Sequence, residues 1–496
     1  MKARQQLDHL LGQVPMYKLV VMGLSVIAGM ALLLMSVGYL AYNPLLFLAS
    51  IVVLVGVSVA GNMLMGWLFG VRPQLESAII TGLILALLFT PPESLLDGAK
   101  LAIVALIAMA SKYIFVMHGK HIFNPAVIAI VIASISGFAY AAWWVASPGL
   151  LLVTVIIALL ILYKTQKLLI GGIYIVSAVG VLALQAAWQG ELNAETLQLL
   201  VTSWPFVFVA GVMLSEPLTL PPHRRQQILY ALLVGILTAI PFHYASITMT
   251  PALALVLGNI YSFSVGLRRS VRLRFVSKKA VGSDGYEFVF DVRPFAFVPG
   301  QYIEIALPHE RADFRGTRRV FTIIGHPGST QMSIATRFPK NHSSFKRALL
   351  NLKPGATIQG VRVSGDFVLP PGNQRPVIAI AGGIGVTPFV SFAMNAERPF
   401  KLVYAASPTS KLAFGDTLAS YAVNVTVVSS ETMRLPDKEW RQIVGQLDAN
   451  TVRDLIAVST QPIVYVSGPP AMVADVTKIV KRLGVKDVRT DAFSGY

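Results

Sequence analysis

The distribution of apolar and polar positions changes character near residue 267. Before that point, long apolar runs alternate with short polar connections. A membrane-spanning helix needs about 20 largely apolar residues, and somewhat fewer inside a bundle. This rule predicts ten spans, at 17–40, 44–69, 75–91, 98–117, 121–137, 148–163, 168–187, 199–215, 228–243 and 250–266. The first part of the chain is therefore predicted to be a polytopic α-helical membrane bundle.

Beyond residue 270 the period of the pattern becomes two, as in YEFVFDV (286–292) and QYIEIAL (301–307), with turn residues between the runs. This alternation predicts an antiparallel β-barrel. From residue 374, apolar strands such as PVIAIAG alternate with helical stretches, which is typical of a parallel α/β sheet. The predicted domains are a membrane domain at 1–267, a barrel at 268–372 and an α/β domain at 373–496.

An internal repeat is visible in the membrane part. The third span ends in LLFTPP (87–92) and the eighth in PLTLPP (217–222), while the fifth begins with NPAVIAIV (124–131) and the tenth with TPALALVL (250–257). Spans that lie five positions apart run in opposite directions through a membrane. The pattern therefore predicts an inverted repeat, whose interrupted helices tend to form a site near the middle of the bilayer.

The charges of the short connections predict an orientation, because cytoplasmic loops are enriched in Lys and Arg. One side has Lys100 alone. The other side collects Lys2, Arg4, Arg72, Lys112, Lys120, Lys164, Lys167, Arg224, Arg225, Arg268 and Arg269. We therefore expect a multi-pass protein of the inner (cytoplasmic) membrane with both termini, and the whole C-terminal part, in the cytoplasm.

The net charge of +17 is uneven, with +4 in residues 1–267 and +13 in the remainder. No nucleic-acid recognition motif accompanies the basic part, so no nucleic-acid partner is expected. Anionic lipid headgroups attract basic clusters that lie where a chain leaves the bilayer. Such a cluster is formed by Arg268, Arg269, Arg272, Arg274, Lys278 and Lys279. The bilayer is therefore the partner that this charge predicts.

The absence of cysteine excludes Cys-ligated zinc and all-Cys iron–sulfur clusters. Haem carried within a bundle needs histidines inside the helices. The histidines of the membrane part lie near predicted span ends or in loops, and they are His9, His118, His121, His223 and His243. A haem domain is therefore disfavoured, and a redox role requires organic cofactors.

Two stretches carry chemistry in the C-terminal part. In RRVFT (318–322), period two places Arg319 and Phe321 on one strand face, where a guanidinium can bind a pyrophosphate and a ring can lie against a flat heterocycle. GGIGVTP (382–388) follows a buried strand and opens a helix. Its glycines allow close approach of a ligand, and the helix N-terminus favours phosphate.

Six motifs in order resemble the ferredoxin–NADP reductase superfamily over residues 270–496: FVPGQYIEI (297–305), RRVFT, GDF (365–367), GGIGVTP, VSGPPAMV (466–473) and DAFSGY (491–496). The resemblance implies an FAD-binding barrel followed by an NAD(P)-binding domain. Arg319 would hold the FAD pyrophosphate, Phe321 would contact the isoalloxazine and Thr322 would hydrogen-bond near its reactive nitrogen.

The same resemblance assigns further residues. Ser343 or Ser344 would touch the pyrophosphate, and Tyr496 would stack on the flavin. The pyridine nucleotide would be cradled by Gly382, Gly383 and Thr387 and approached by Gly468 and Pro469, which follow Ser467 where the family commonly has Cys.

A second resemblance concerns the membrane part. RPQLESAIITGLIL (72–85), GKHIFNPAVIA (119–129) and VMLSEPLTLPP (212–222) are similar to the FMN-carrying membrane protein of the Rnf complex and to its homologue in the sodium-pumping NADH:quinone reductase. That family implies flavin in the bundle, with FMN esterified to a Thr in an S-G-A-T sequence. The corresponding loop here, 137–150, contains no Thr. A non-covalent FMN or riboflavin is therefore expected near Asn124, Glu216 and Thr219, the alternative being that these residues cap helices and bond within the bundle.

These features together predict an enzyme that oxidises NAD(P)H through FAD and passes electrons into the membrane domain, to a quinone or an electron-acceptor protein beyond the membrane. Two alternatives remain at this stage. The bundle could be a redox-driven Na⁺ or H⁺ pump or transporter with Glu76 or Glu216 as the coupling carboxylate. It could also be an anchor for a reductase that serves a soluble electron carrier.

Overall fold

The computed structural model describes residues 14–70, 73–117, 120–244, 247–266, 271–309, 313, 317–339, 342–370, 372, 375–395, 399–407, 411–457 and 461–493. The chain divides into two compact units, with the boundary between Arg269 and Ser270. We call them the helical unit and the reductase unit, and each is described by itself. Several residues named above lie outside the described ranges, namely Lys2, Arg4, His9, Arg72, His118, Arg268, Arg269 and Tyr496.

Eleven helices make up the described part of the helical unit. They are α1 (Met16–Ser36), α2 (Pro44–Leu68), α3 (Leu75–Leu88), α4 (Leu95–Ile114), α5 (Pro125–Ile135), α6 (Pro148–Lys164), α7 (Leu168–Trp188), α8 (Ala194–Thr202), α9 (Phe206–Phe208, continued by a π-helix at Val209–Leu214), α10 (Arg224–Ala239) and α11 (Pro251–Val265). Short two-stranded ladders precede α5 and α11, with strands β1 (Val116–Met117), β2 (Lys120–His121), β3 (His243–Tyr244) and β4 (Ile247–Thr248).

Among the described helices, α1, α2 and α7 are long and apolar enough to cross a membrane by length and composition. Four other apolar helices, α3, α5, α6 and α11, have only 14, 11, 17 and 15 residues. A helix of 14 residues extends about 21 Å, which is less than the roughly 30 Å of a bilayer core. The prediction of ten spans is therefore corrected to three candidate spans. The predicted fifth span, 121–137, was too long, because α5 begins only at Pro125, after Asn124 caps its first turn.

The packing of the helical unit repeats. In the first half α2 packs along α4, α4 along α5, and α3 against α1 and α2. In the second half α7 packs along α10, α10 along α11, and the π-helix against α6 and α7. Across the halves α1 contacts α6 and α5 contacts α11. Corresponding helices of the two halves therefore make equivalent contacts, as an internal repeat requires.

The first part of the reductase unit is a six-stranded antiparallel sheet in the order β8-β7-β10-β5-β6-β9. Its strands are β5 (Val271–Val281), β6 (Gly285–Val292), β7 (Tyr302–Ala306), β8 (Arg318–Thr322), β9 (Gln331–Arg337) and β10 (Thr357–Ser364), with α12 (Ser344–Leu350) before β10. A bridge between Ile324 and Ser333 joins the two edges, so the sheet closes into the predicted barrel.

The second part is a six-stranded parallel sheet in the order β14-β13-β12-β11-β15-β16. Its elements are β11 (Val377–Gly382), α13 (Thr387–Asn395), β12 (Lys401–Ala405), α14 (Gly415–Ser420), β13 (Asn424–Ser429), β14 (Arg441–Val444), α15 (Ala449–Ala457), β15 (Ile463–Gly468), α16 (Pro470–Arg482) and β16 (Val488–Ala492). The chain order reverses between β11 and β15. In open α/β sheets, ligands bind outside the carboxyl ends of the strands at such a switch point.

Candidate nucleotide and flavin site

Two glycine-containing turns meet at the switch point of the parallel sheet. A β-carbon added to Gly385, in the turn after β11, would lie 2.5 Å from the Cα of Gly468, at the end of β15. Gly468 itself has φ +151°, a value that other residues rarely adopt. Glycine is therefore required here because the two backbones touch. The contact brings the two sequence motifs GGIGVTP and VSGPPAMV into one site.

The remaining residues of the first turn have different environments. Gly382 is covered by Met472 and Pro469, so it serves packing between the turns. Gly383 has φ +54° and is open, and the Tyr404 hydroxyl donates a hydrogen bond to its carbonyl (3.0 Å). Thr387 is buried at the first position of α13. The nucleotide contacts predicted for Gly382, Gly383, Thr387 and Pro469 stay predictions.

On β8, Arg319 and Phe321 lie on one face, as period two requires, and both meet Phe345 of α12. The Arg319 guanidinium carbon is 5.3 Å from the Phe345 ring centroid, and the Phe321 ring stacks on the same ring at 5.9 Å. Ser343 caps α12 and Ser344 begins it. The structure thus brings together Arg319, Phe321, Ser343 and Ser344, the set that sequence assigned to FAD.

A histidine that sequence reasoning missed lies beside these serines. His309 Nε2 is 2.9 Å from the Ser344 hydroxyl, while its Nδ1 is 2.8 Å from the Leu307 carbonyl oxygen. The backbone N–H of Asp313 also donates to the Ser344 hydroxyl. Because a carbonyl oxygen only accepts, Nδ1 carries the proton, and Nε2 of a neutral ring accepts from Ser344. No pattern in the sequence marks this pair, which lies 35 residues apart.

Two buried hydroxyls support a polar ligand in this region. Thr322 Oγ1 and Ser467 Oγ are inaccessible to solvent and have no hydrogen-bond partner among the described residues. Buried hydroxyls are normally paired, so orphaned ones indicate a missing partner such as a ligand. Thr322 ends β8, and Ser467 precedes the glycine of the second turn. The residues present therefore fit a flavin and a pyridine nucleotide.

The barrel and the nucleotide domain share one apolar core, which holds the two halves of the site together. Ile324 and Phe367 of the barrel part pack in the same cluster as Phe389 and Tyr465 of the α/β part. The Phe367 ring meets the Tyr465 ring edge-on at 5.1 Å. In addition, the Gln301 side chain of the PGQ motif donates to the carbonyl of Gly365 in the GDF motif (3.2 Å).

The C-terminal strand adds residues of the DAFSGY motif to which the sequence analysis gave no role. The register of β16 on β15 places Asp491 beside Ser467 and Ala492 beside Gly468. The N–H of Phe493 donates to the Gly468 carbonyl (2.9 Å). Burial raises the pKa of Asp491 to about 6, and the nearby Asp366 carboxylate of the GDF motif adds to the rise. An acidic residue near the end of the last strand, followed by Phe493, was the available signal. The stacking prediction for Tyr496 falls outside the described residues.

The Asp491→Asn variant is expected to be more stable than the wild type above pH 6. Because its folded pKa exceeds the ordinary 3.8, Asp491 contributes most stability below about pH 4 and loses it as the pH rises through about 6. The gain should be on the order of 2 kcal/mol at pH 7 and vanish towards pH 4. Unfolding midpoints from pH 4 to 8 measure it, with Asp454→Asn, an exposed site on α15, as control. A pH-independent difference would contradict the burial argument.

Comparison with known proteins agrees with this geometry. Residues 379–478 match the family described as Oxidoreductase NAD-binding domain. These residues run from β11 into α16 and contain both glycine turns. The predicted α/β nucleotide-binding domain of an oxidoreductase is thereby confirmed.

Individual relatives resemble only part of the chain. A flavohemoprotein of Bacillus subtilis is 26% identical over 198 residues, which is 38% of this chain and 49% of the relative. The ferredoxin–NADP reductase B of Sorangium cellulosum is 27% identical over 39% of this chain and 84% of its own. A flavohemoglobin structure from Malassezia yamatoensis has a TM-score of 0.41 at 17% identity, covering 68% of this chain and 98% of its own. The chain spans about half the length of the flavohemoproteins that it matches.

The helical unit contains a separate polar cluster. Asn124 caps α5 through its Oδ1. Its Nδ2 donates a hydrogen bond (2.7 Å) to the carboxylate of Glu216, a residue that follows the π-helix. The Thr219 hydroxyl donates to the Glu216 carbonyl (3.3 Å). Lys112, within electrostatic range of Glu216, donates to Asn62 and Ser77. The structure thus brings together Asn124, Glu216 and Thr219, whereas Glu76 lies in the first turn of α3.

Proposed function

We propose that the protein is a membrane flavoprotein oxidoreductase. NAD(P)H binds at the two glycine turns, and FAD binds along β8 and α12. Electrons pass from FAD into the helical unit and on to a quinone or an acceptor protein beyond the membrane. The contact between Gly385 and Gly468 at the switch point carries the proposal, because it forms the crevice in which a nucleotide can approach the backbone.

Flavin suits this position because it accepts a hydride as an electron pair and releases electrons singly. The chain's own residues bind and orient it. Arg319 neutralises the pyrophosphate, Phe321 lies against the ring system, and Thr322 and Ser467 supply hydroxyls that have no other described partner. Asp491 is paired with Ser467 in the register of β16 on β15, so its carboxyl group belongs to the same strand ends as the second turn.

A membrane location is supported by the surface of the helical unit. Large apolar side chains on the candidate spans are exposed, for example Trp67 (77%), Val176 (73%) and Trp188 (92%). Exposed apolar surface of this extent is typical of contact with lipid. We therefore propose a multi-pass protein of the inner membrane with the reductase unit in the cytoplasm, where NAD(P)H is available.

Vesicles reconstituted with the full chain test this function. NADH or NADPH is added outside, with either a quinone in the bilayer or ferricyanide trapped in the lumen. We expect quinol formation or loss of the trapped ferricyanide, dependent on added nucleotide. Oxidation of nucleotide only when a soluble acceptor is added on the same side would contradict transfer through the helical unit and favour the anchored-reductase alternative.

A second candidate function, ion coupling, is favoured by the Glu216–Asn124 pair. A carboxylate held inside an apolar bundle at an interrupted helix is a candidate site for a coupled cation. The same residues suit a non-covalent FMN or riboflavin, since amide and carboxylate groups match the polar edge of an isoalloxazine. Acid extraction of the purified protein shows whether each chain releases FAD alone or FAD together with a second, non-covalent flavin. The dependence of turnover on Na⁺ concentration tests coupling.

A further inference from the structure

A charged pair from the barrel lies at the edge of the first glycine turn. Arg337, at the end of β9, donates from Nε and Nη2 to both carboxylate oxygens of Asp284, at 2.8–3.0 Å. Asp284 lies in the turn between β5 and β6, and its carbonyl accepts from the N–H of Phe338 (2.7 Å). One edge of the guanidinium is thus held in a bidentate pair, which fixes its plane.

The third guanidinium nitrogen of Arg337, Nη1, faces the nucleotide domain. A β-carbon added to Gly383 would lie 3.9 Å from Arg337 Nη1 and within 4 Å of no other described atom. No acceptor in the described part of the chain contacts Nη1, and the Arg337 side chain is 56% exposed. The cation therefore stands over the open glycine of the turn and remains available to a ligand.

The turn between β5 and β6 is also attached to the loop after β12. The Ser283 hydroxyl accepts from the N–H of Lys411 (2.8 Å). Tyr404, on β12, donates to the carbonyls of Gly383 (3.0 Å) and Ala413 (3.3 Å). The segment that positions Arg337 is therefore fixed to the nucleotide domain, and the guanidinium is preorganised across the boundary between barrel and sheet.

We propose that Arg337 is a nucleotide-binding residue supplied by the barrel. Its Nη1 donates to the diphosphate of NAD(P)H bound at the Gly383 turn, and Asp284 is the positioning residue that holds it. This inference rests on the proposed function, since it requires a nucleotide in that crevice. It adds a residue outside the 379–478 region that matches the NAD-binding family. A guanidinium with one free edge over a glycine turn suits a phosphate oxygen better than a neutral group.

Anaerobic stopped-flow reduction of the FAD in the full chain tests the proposal. For Arg337→Ala we expect the half-saturating NADH concentration to rise at least tenfold, with the limiting rate within twofold and the FAD content unchanged. Arg337→Lys should raise the half-saturating NADH concentration less than Arg337→Ala does. Asp284→Asn should raise it about threefold. The dependence of affinity on salt should weaken in Arg337→Ala, because one phosphate contact is lost.

A phosphate-free hydride donor supplies the decisive comparison. With 1-benzyl-1,4-dihydronicotinamide as the donor, the FAD of the wild type and the FAD of Arg337→Ala should be reduced at equal rates. Arg375→Ala is the matched control, because Arg375 pairs with Asp487 (3.3 Å) beside the amino end of β15. Unchanged NADH affinity in Arg337→Ala, or an equal loss with both donors, would overturn the proposal. Failure of NADH to reduce the wild-type flavin would instead overturn the proposed function.

Discussion

Arg319→Ala is expected to strip FAD from the purified protein, with an affinity loss of at least tenfold. A charge-assisted hydrogen bond to phosphate contributes about 1.5–3 kcal/mol, which corresponds to one or two orders of magnitude in affinity. Arg319 also covers the Phe345 ring, on which Phe321 stacks, so its removal loosens the surface against which the flavin would lie. Flavin content and the dissociation constant for added FAD measure the effect.

Arg318→Ala is the matched control for that experiment. Arg318 precedes Arg319 on β8 and lies on the opposite strand face. The Arg318→Ala substitution removes one positive charge from the residue next to Arg319. A general electrostatic effect on FAD binding would therefore appear in both variants. We expect the Arg318→Ala protein to retain its FAD. Wild-type flavin affinity in Arg319→Ala would remove Arg319 from the site.

Sequence periodicity was sufficient for the local geometry of the reductase unit. The RRVFT pattern placed Arg319 and Phe321 on one face, and both side chains meet Phe345. The glycine run after a buried strand predicted a strand, a turn and a helix, which are β11, the Gly383–Val386 turn and α13. Such features depend on neighbours in sequence, and these are visible without a structure.

Features that depend on register were not predictable. Arg337 and Asp284 are 53 residues apart and meet because Gly285 pairs with Arg337 across β6 and β9. Asp491 reaches Ser467 through the pairing of β16 with β15. The span count failed for a related reason. Hydropathy sums over a window, whereas the start of α5 is set by the Asn124 side chain, which caps backbone N–H groups.

Gly385→Ala should show whether the contact between the two turns is what makes the site. The added methyl would meet backbone atoms of Gly468 at 2.5–2.6 Å and the Ser467 carbonyl at 2.7 Å, so one turn must move. Overpacking of this kind costs about 1–3 kcal/mol, and it separates the two walls of the nucleotide crevice. We expect flavin reduction by NADH to slow at least tenfold while FAD, for which β8 is the proposed site, is retained. Gly172→Ala on α7, where no atom lies within 4 Å, controls for the substitution itself. Normal reduction kinetics in a Gly385→Ala protein would mean that the nucleotide binds away from the switch point.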